Sequence, residues 1–201
     1  MQDAYLRRQK DRLLTPMAGP VFSSIHPNTV SVIAMIIGLG SVAAIMLQLY
    51  WMGLFLWAFN RIMDGFDGVI ARVHQKQSDF GGFLDLFLDF VIYLAVPVAF
   101  IWAMPTTANL WAGIALLGSY VMNSISWTTL AALLEKRQRQ TINRLTSMEM
   151  PTGLIEGAET IIFYTLFYLL PGQIAPLFAV MAILVFYTAS QRVWWAYQTL
   201  R

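Results

Sequence analysis

The stretch RIMDGFDGVIARVHQKQSDFGGFLDLFLDF, residues Arg61–Phe90, places four aspartates, Asp64, Asp67, Asp85 and Asp89, inside or against apolar segments. Its surroundings are built for lipid. Of 201 residues, 58% are hydrophobic and 12% charged, and the mean hydropathy is +0.59; a soluble domain carries about a quarter charged residues. The apolar runs flanking the stretch reach the ~20 residues that a helix needs to cross the hydrocarbon core. The stretch therefore reads as the end of one membrane helix, a polar turn at VHQKQSD, and the start of the next. Carboxylates at such a depth are expensive and call for a reason.

Working outward, the pattern predicts an all-α integral membrane protein with six transmembrane helices, at about 29–50, 51–71, 80–104, 108–133, 153–171 and 174–195. If the N-terminus is cytoplasmic, the connections near Leu49–Met52, Pro105–Asn109 and Pro171–Gln173 face outward, and none of them holds a Lys or Arg. All 13 basic residues then fall on the inner side or at inner helix ends, the positive-inside bias that fixes topology. Both termini and the aspartates are expected on the cytoplasmic side of a bacterial-type inner membrane. Residues 1–28 are expected to form a cytoplasmic or interfacial N-terminal segment, and residues 29–201 the six-helix transmembrane domain. Within the first of these, YLRRQKDRLLTPM mixes cations with Tyr5, Leu6, Leu13 and Leu14, as an amphipathic helix lying in the interface does. The lack of cysteine excludes disulfides, thiol catalysis and cysteine metal sites. Two histidines, His26 and His74, are too few and too far apart for a zinc motif. Nothing points to a nucleic-acid partner.

Asp64 and Asp67 are three apart on one helix, and Asp85 and Asp89 are four apart on the next, so each pair shares a face. Two antiparallel helices joined by a short turn bring all four together just below the inner membrane surface. Four like charges cannot coexist there unpaired, and no protein cation in the pattern is sufficient to balance them. One divalent cation, or two, resolves the conflict; hard oxygen ligands suit Mg²⁺ or Mn²⁺. Gly68 opens the backbone beside Asp67 to close approach, Ala71 keeps that face small, and Gly81 with Gly82 keeps the next helix narrow at its start. Arg72 sets a planar, permanently charged fork at the helix end, suited to phosphate oxygens, while Lys76 is expected in the exposed turn. Taken singly, each has an ordinary reading as a solvated, packing or topology residue.

Read in full, the spacing is Asp64, two residues, Asp67-Gly68, two residues, Ala71-Arg72, eight residues, Gly81, three residues, Asp85, three residues, Asp89. It resembles the signature of the CDP-alcohol phosphotransferase (CDP-alcohol phosphatidyltransferase) family at all eight specified positions. A weaker resemblance lies in HPNTVS: Pro27-Asn28 match the family's pattern at the start of the first span, with Ser31 where Thr is usual. The resemblance implies a phospholipid-biosynthetic transferase in which an acceptor hydroxyl attacks the β-phosphorus of a CDP-alcohol such as CDP-diacylglycerol, releasing CMP. It also implies a homodimer and a metal centre of two ions, with Asp64, Asp67, Asp85 and Asp89 as ligands and Asp89 doubling as general base. Asp64, Asp67, Gly68, Ala71, Arg72, Gly81 and Asn28 then bind the CDP group.

The resemblance further implies a small polar alcohol as acceptor. Basic residues of the inner segment EKRQRQTINR, with Arg137, Arg139 and Arg144 as candidates, favour a phosphorylated polyol such as glycerol 3-phosphate or inositol phosphate. Glu156 and Glu159 either face the cavity or cap a helix start. Two competing readings are an aspartate-rich membrane prenyltransferase, which usually has more spans and two separated motifs, and a divalent-cation transporter. The latter needs polar groups on both sides of the midplane, whereas every Asp and Glu here falls on the inner side.

Overall fold

Pro27 opens the first helix at a position where its missing N–H costs nothing, and the His26 imidazole accepts a hydrogen bond from the Asn28 amide at 3.3 Å. The computed structural model describes residues 25–140 and 153–200. Within them lie six α-helices: α1 Pro27–Met46, α2 Tyr50–Val73, α3 Asp79–Ala103, α4 Thr107–Gln140, α5 Gly157–Leu169 and α6 Ile174–Leu200, the last preceded by a 3₁₀ turn at Pro171–Gln173. Three segments, Pro27–Met46, Asp79–Ala103 and Pro171–Leu200, are long and apolar enough to cross a membrane. α2 is also long, but it carries Arg61, Asp64, Asp67 and Arg72. The predicted interfacial helix falls before residue 25 and so lies outside the described residues.

Two elements depart from expectation at their ends. α4 runs on to Gln140 instead of stopping near residue 133, because the polar run after Leu134 consists of good helix formers. α5 has 13 residues and begins at Gly157 instead of residue 153. Residues before it are spent on a cap: the Gly153 amide donates to Glu156 Oε1 at 2.7 Å, and the Glu156 amide to Glu159 Oε2 at 3.1 Å. Both glutamates thus serve the helix start, where orphan amides need acceptors.

The described chain divides into two compact units, one running to Thr106 and including Thr165–Gly172, the other comprising Thr107–Tyr164 and the residues from Gln173 on. In the first, α1 packs against both α2 and α3. Its buried stripe of Ala34, Gly38 and Ser41 is small enough to let backbones approach. A Cβ on Gly38 would stand 2.8 Å from Ile92 Cδ1 and 3.1 Å from Asn60 Nδ2, so glycine there sets the spacing of all three helices. Ser41 Oγ bonds the Gly53 carbonyl at 2.7 Å and the Tyr168 hydroxyl at 2.6 Å. Tyr168 lies 6.3 Å from Trp57, ring to ring, and 5.4 Å from Phe100. In the second unit α4 packs against α6, and Tyr120 and Tyr164 share a hydrogen bond at 3.0 Å.

Candidate active site

α2 ends at Val73, and Gln75 turns the chain with φ of 54°. Ser78 then caps α3, its hydroxyl accepting from the Gly81 amide at 3.0 Å. This hairpin sets Asp64 and Asp67 on α2 beside Asp85 and Asp89 on α3. The carboxylates line two adjoining clefts that share Asp85. The larger, about 150 Å³, is bounded by Asn28, Ser31, Asp67, Gly68, Ala71, Arg72, Lys76, Gly81 and Asp85 among others. It holds several times the ~30 Å³ share of one liquid water, enough for a phosphate-sized group. The smaller, about 10 Å³, lies between Ser31, Asp64, Asp85 and Asp89, room for a single monatomic or water-sized guest.

Asp67 is buried, 4% exposed, and takes a hydrogen bond from Ser31 of α1, whose hydroxyl lies 3.3 Å from the Pro27 carbonyl. The weaker of the two sequence resemblances thus has a physical job: the hydroxyl at position 31 orients a site carboxylate. Gly81 is equally constrained, since a Cβ there would meet Ser78 Oγ at 3.0 Å and Asn28 Oδ1 at 3.1 Å. A Cβ on Gly68 would come within 3.3 Å of the Arg72 guanidinium, so the missing side chain leaves that cation its place at the cleft.

Three placements differ from the sequence reading. Lys76 lies in the turn between exposed neighbours but is itself half-buried: it lines the larger cleft and donates to the Ile25 carbonyl at 3.2 Å. A protein cation does sit among the carboxylates. The Arg61 guanidinium bonds Asp89 Oδ1 at 2.7 Å and stands 3.8 Å from Asp64 Oδ2. One turn before Asp64, Arg61 was legible as a neighbour of that residue, but its reach to Asp89 depends on the packing of α3. And among the described residues no three acidic or histidine side chains converge at the spacing of a closed metal site; the four aspartates are spread over both clefts. Their donors nonetheless fit a hard divalent cation, being carboxylate and hydroxyl oxygens around a space of monatomic size.

In the second unit, Arg137 is exposed and its guanidinium bonds the Thr199 and Leu200 carbonyls at 3.3 and 2.5 Å, satisfying the end of α6. Arg139 sits on the last turn of α4, and Arg144 lies outside the described residues. Sequence reading missed Arg192: on α6, 8% exposed, it donates to Asn123 of α4. An arginine at 3.6-residue spacing within an apolar run was the available signal.

Residues 24–197 match the protein family described as CDP-alcohol phosphatidyltransferase. The chain is 35% identical to the inner membrane protein YnjF of Escherichia coli K12 over 178 residues, 88% of this chain and 85% of that one. It is 32% identical over 126 residues to the bifunctional IPC transferase and DIPP synthase of Archaeoglobus fulgidus, 62% of this chain but 25% of that longer protein. Two solved structures of the Mycobacterium tuberculosis phosphatidylinositol phosphate synthase PgsA1 share the fold at 20% identity. The complex with manganese and citrate superposes with a TM-score of 0.72 over 92% of this chain and 88% of that one. The form with CDP-DAG bound gives 0.68 over 90% and 92%.

Proposed function

Because this chain belongs to the CDP-alcohol phosphatidyltransferase family, we propose that it moves a phosphatidyl or similar lipid phosphoryl group from a CDP-linked lipid to the hydroxyl of a small polar alcohol, releasing CMP. The observation that carries this reading is the pair of adjoining clefts, four aspartates with Arg72 and Lys76 at one end, formed by the α2–α3 hairpin against α1. The CDP-DAG-bound and manganese-bound relatives of the same fold support the donor class and the metal.

The larger cleft takes the diphosphate. Arg72 offers its fork to phosphate oxygens, Lys76 adds a point charge, and Asn28, Gly68, Ala71 and Gly81 shape the wall against the nucleotide. Asp64, Asp67, Asp85 and Asp89 would hold Mg²⁺ or Mn²⁺, whose charge offsets what builds on the departing CMP. Asp89 takes the proton of the acceptor hydroxyl. That oxygen forms its bond to the lipid-linked phosphorus as the phosphoanhydride bond to CMP breaks, and the lipid phosphodiester remains in the bilayer. The site lies at the cytoplasmic surface, where acyl chains in lipid and a nucleotide in water can be held at once. This placement gives the buried carboxylates their reason.

A phosphorylated polyol is the acceptor this reading favours, in keeping with the phosphatidylinositol phosphate synthase fold. Of the cations in the second unit, Arg192 is the one this reading assigns to the acceptor's anion: it is buried, donates to Asn123 and has Glu156 as a charged neighbour, whereas Arg137 is committed to main-chain carbonyls. The working enzyme is a homodimer, on the family's pattern. Purified protein given radiolabelled CDP-diacylglycerol and a panel of acceptors, with and without Mn²⁺, tests the whole scheme. CMP release that needs the metal and one acceptor is expected. Metal-independent release, or none with any acceptor, refutes it, and metal flux across vesicles without CMP release would establish a transporter instead.

A further inference from the structure

Arg61 is held in its position by several partners at once. Its side chain is 9% exposed. The guanidinium lies 4.8 Å from the Trp57 ring centre and 5.1 Å from that of Tyr93, in the corner formed by these two rings, whose centres are 6.2 Å apart at an angle of 64°. Its Nε donates to Asn60 Oδ1 at 2.8 Å, one terminal nitrogen to the Tyr93 hydroxyl at 3.0 Å, and the other to Asp89 Oδ1 at 2.7 Å. Asn60 is itself fixed, 1% exposed, donating to the Ala34 carbonyl at 2.7 Å. A continuous chain of bonds thus runs from the α1 backbone through Asn60 and Arg61 to an aspartate on α3. Nothing in this arrangement points Arg61 towards the larger cleft, whose lining does not include it; it forms part of the wall of the smaller one.

Resting on the transferase reading above, we propose that Arg61 is a positioning residue: a fixed internal cation that holds the Asp89 carboxylate in register for proton transfer and sets how strongly the carboxylates bind a divalent ion. One Asp89 oxygen is committed to Arg61, which limits rotation of the carboxylate and leaves the other oxygen to face the cleft. The guanidinium also offsets one of the four negative charges permanently. A site of four uncompensated carboxylates would hold its ions too tightly for release; three net charges leave exchange possible. The planar fork matters because ammonium on a flexible stem cannot stack on a ring and bond three partners in one plane.

The test compares Arg61→Gln and Arg61→Lys in purified full-length protein, with folding checked by thermal melting. Mn²⁺ affinity is read by electron paramagnetic resonance without substrate, and kcat and KM for CMP release are read at saturating Mn²⁺. Removing a unit charge a few ångströms from the ion should tighten Mn²⁺ binding by Arg61→Gln about tenfold or more. Its kcat should fall at least tenfold while KM for the donor stays within about threefold, on the scale of a misplaced base. Arg61→Lys should keep wild-type Mn²⁺ affinity within threefold yet lose kcat. Unchanged or weaker Mn²⁺ binding by well-folded Arg61→Gln overturns the proposal, as does wild-type kcat in Arg61→Lys. Should Arg61→Gln fail to fold, Arg61→Lys decides alone: reduced kcat at unchanged Mn²⁺ affinity supports the role, and any other pattern overturns it. If wild-type protein releases no CMP, the transferase reading fails separately, and the metal-binding comparison still tests the charge.

Discussion

Asp89 and Asp64 both meet Arg61, at 2.7 and 3.8 Å, yet the proposed chemistry gives them different tasks, and a single substitution in each separates the tasks. Asp89→Asn keeps the shape and one oxygen but cannot accept a proton at neutral pH. Turnover should fall by about 10²–10⁴-fold, the usual share of general-base catalysis, with CDP-lipid binding in Mg²⁺ nearly unchanged by calorimetry. Asp64→Asn should lose binding and turnover together, because a missing ligand weakens metal and nucleotide at once. Equal loss of binding in both variants would make Asp89 chiefly a ligand. The four aspartates, Gly68, Arg72 and Gly81 were legible because spacing along a helix fixes which side chains share a face. Arg61 and Lys76 were not. What each one touches is set by a neighbouring element: α3 supplies Asp89 and Tyr93 to Arg61, and the chain before α1 supplies the Ile25 carbonyl to Lys76.

At the level of elements, the helices of the first unit come close because of what their glycines lack. A Cβ on Gly53 would stand 2.9 Å from Tyr168 Cε1 and 3.3 Å from its Cδ1, with the Ser41 carbonyl in ordinary contact at 3.5 Å. A rigid, packed ring cannot give way as the end of a flexible side chain does. Gly53→Ala should therefore destabilise the protein by about 1–3 kcal/mol, the range of overpacked cores, seen as a lower melting temperature in detergent with the donor KM unchanged. An unaltered melting curve would mean that α2 can slide outward without loss. Helix positions were legible from apolar run length: α1 to α3 begin within two residues of expectation. The start of α5 was not, because Glu156 and Glu159 could be read as cavity residues until their bonds to main-chain amides showed a cap.

For the molecule as a whole, the all-helical membrane fold followed from composition and run length, and the positive-inside bias supplied an orientation that remains a proposal. The chain has no cysteine, so single cysteines can report it. Thr107→Cys, exposed at the start of α4, should react with a membrane-impermeant maleimide added to intact cells, and Gln77→Cys only after permeabilisation. The reverse pattern would invert the protein and remove the active site from the cytoplasm. Every residue of both clefts falls between Pro27 and Ile92, within the first compact unit. Synthesis runs from the N-terminus, and early segments fold before later ones exist. All residues lining both clefts are therefore synthesised before α4 to α6, although the unit that holds them is completed only when Thr165–Gly172 joins it. On the proposed function, substitutions in the later helices retune the acceptor while the cleft residues of α1 to α3 pass to descendants unaltered.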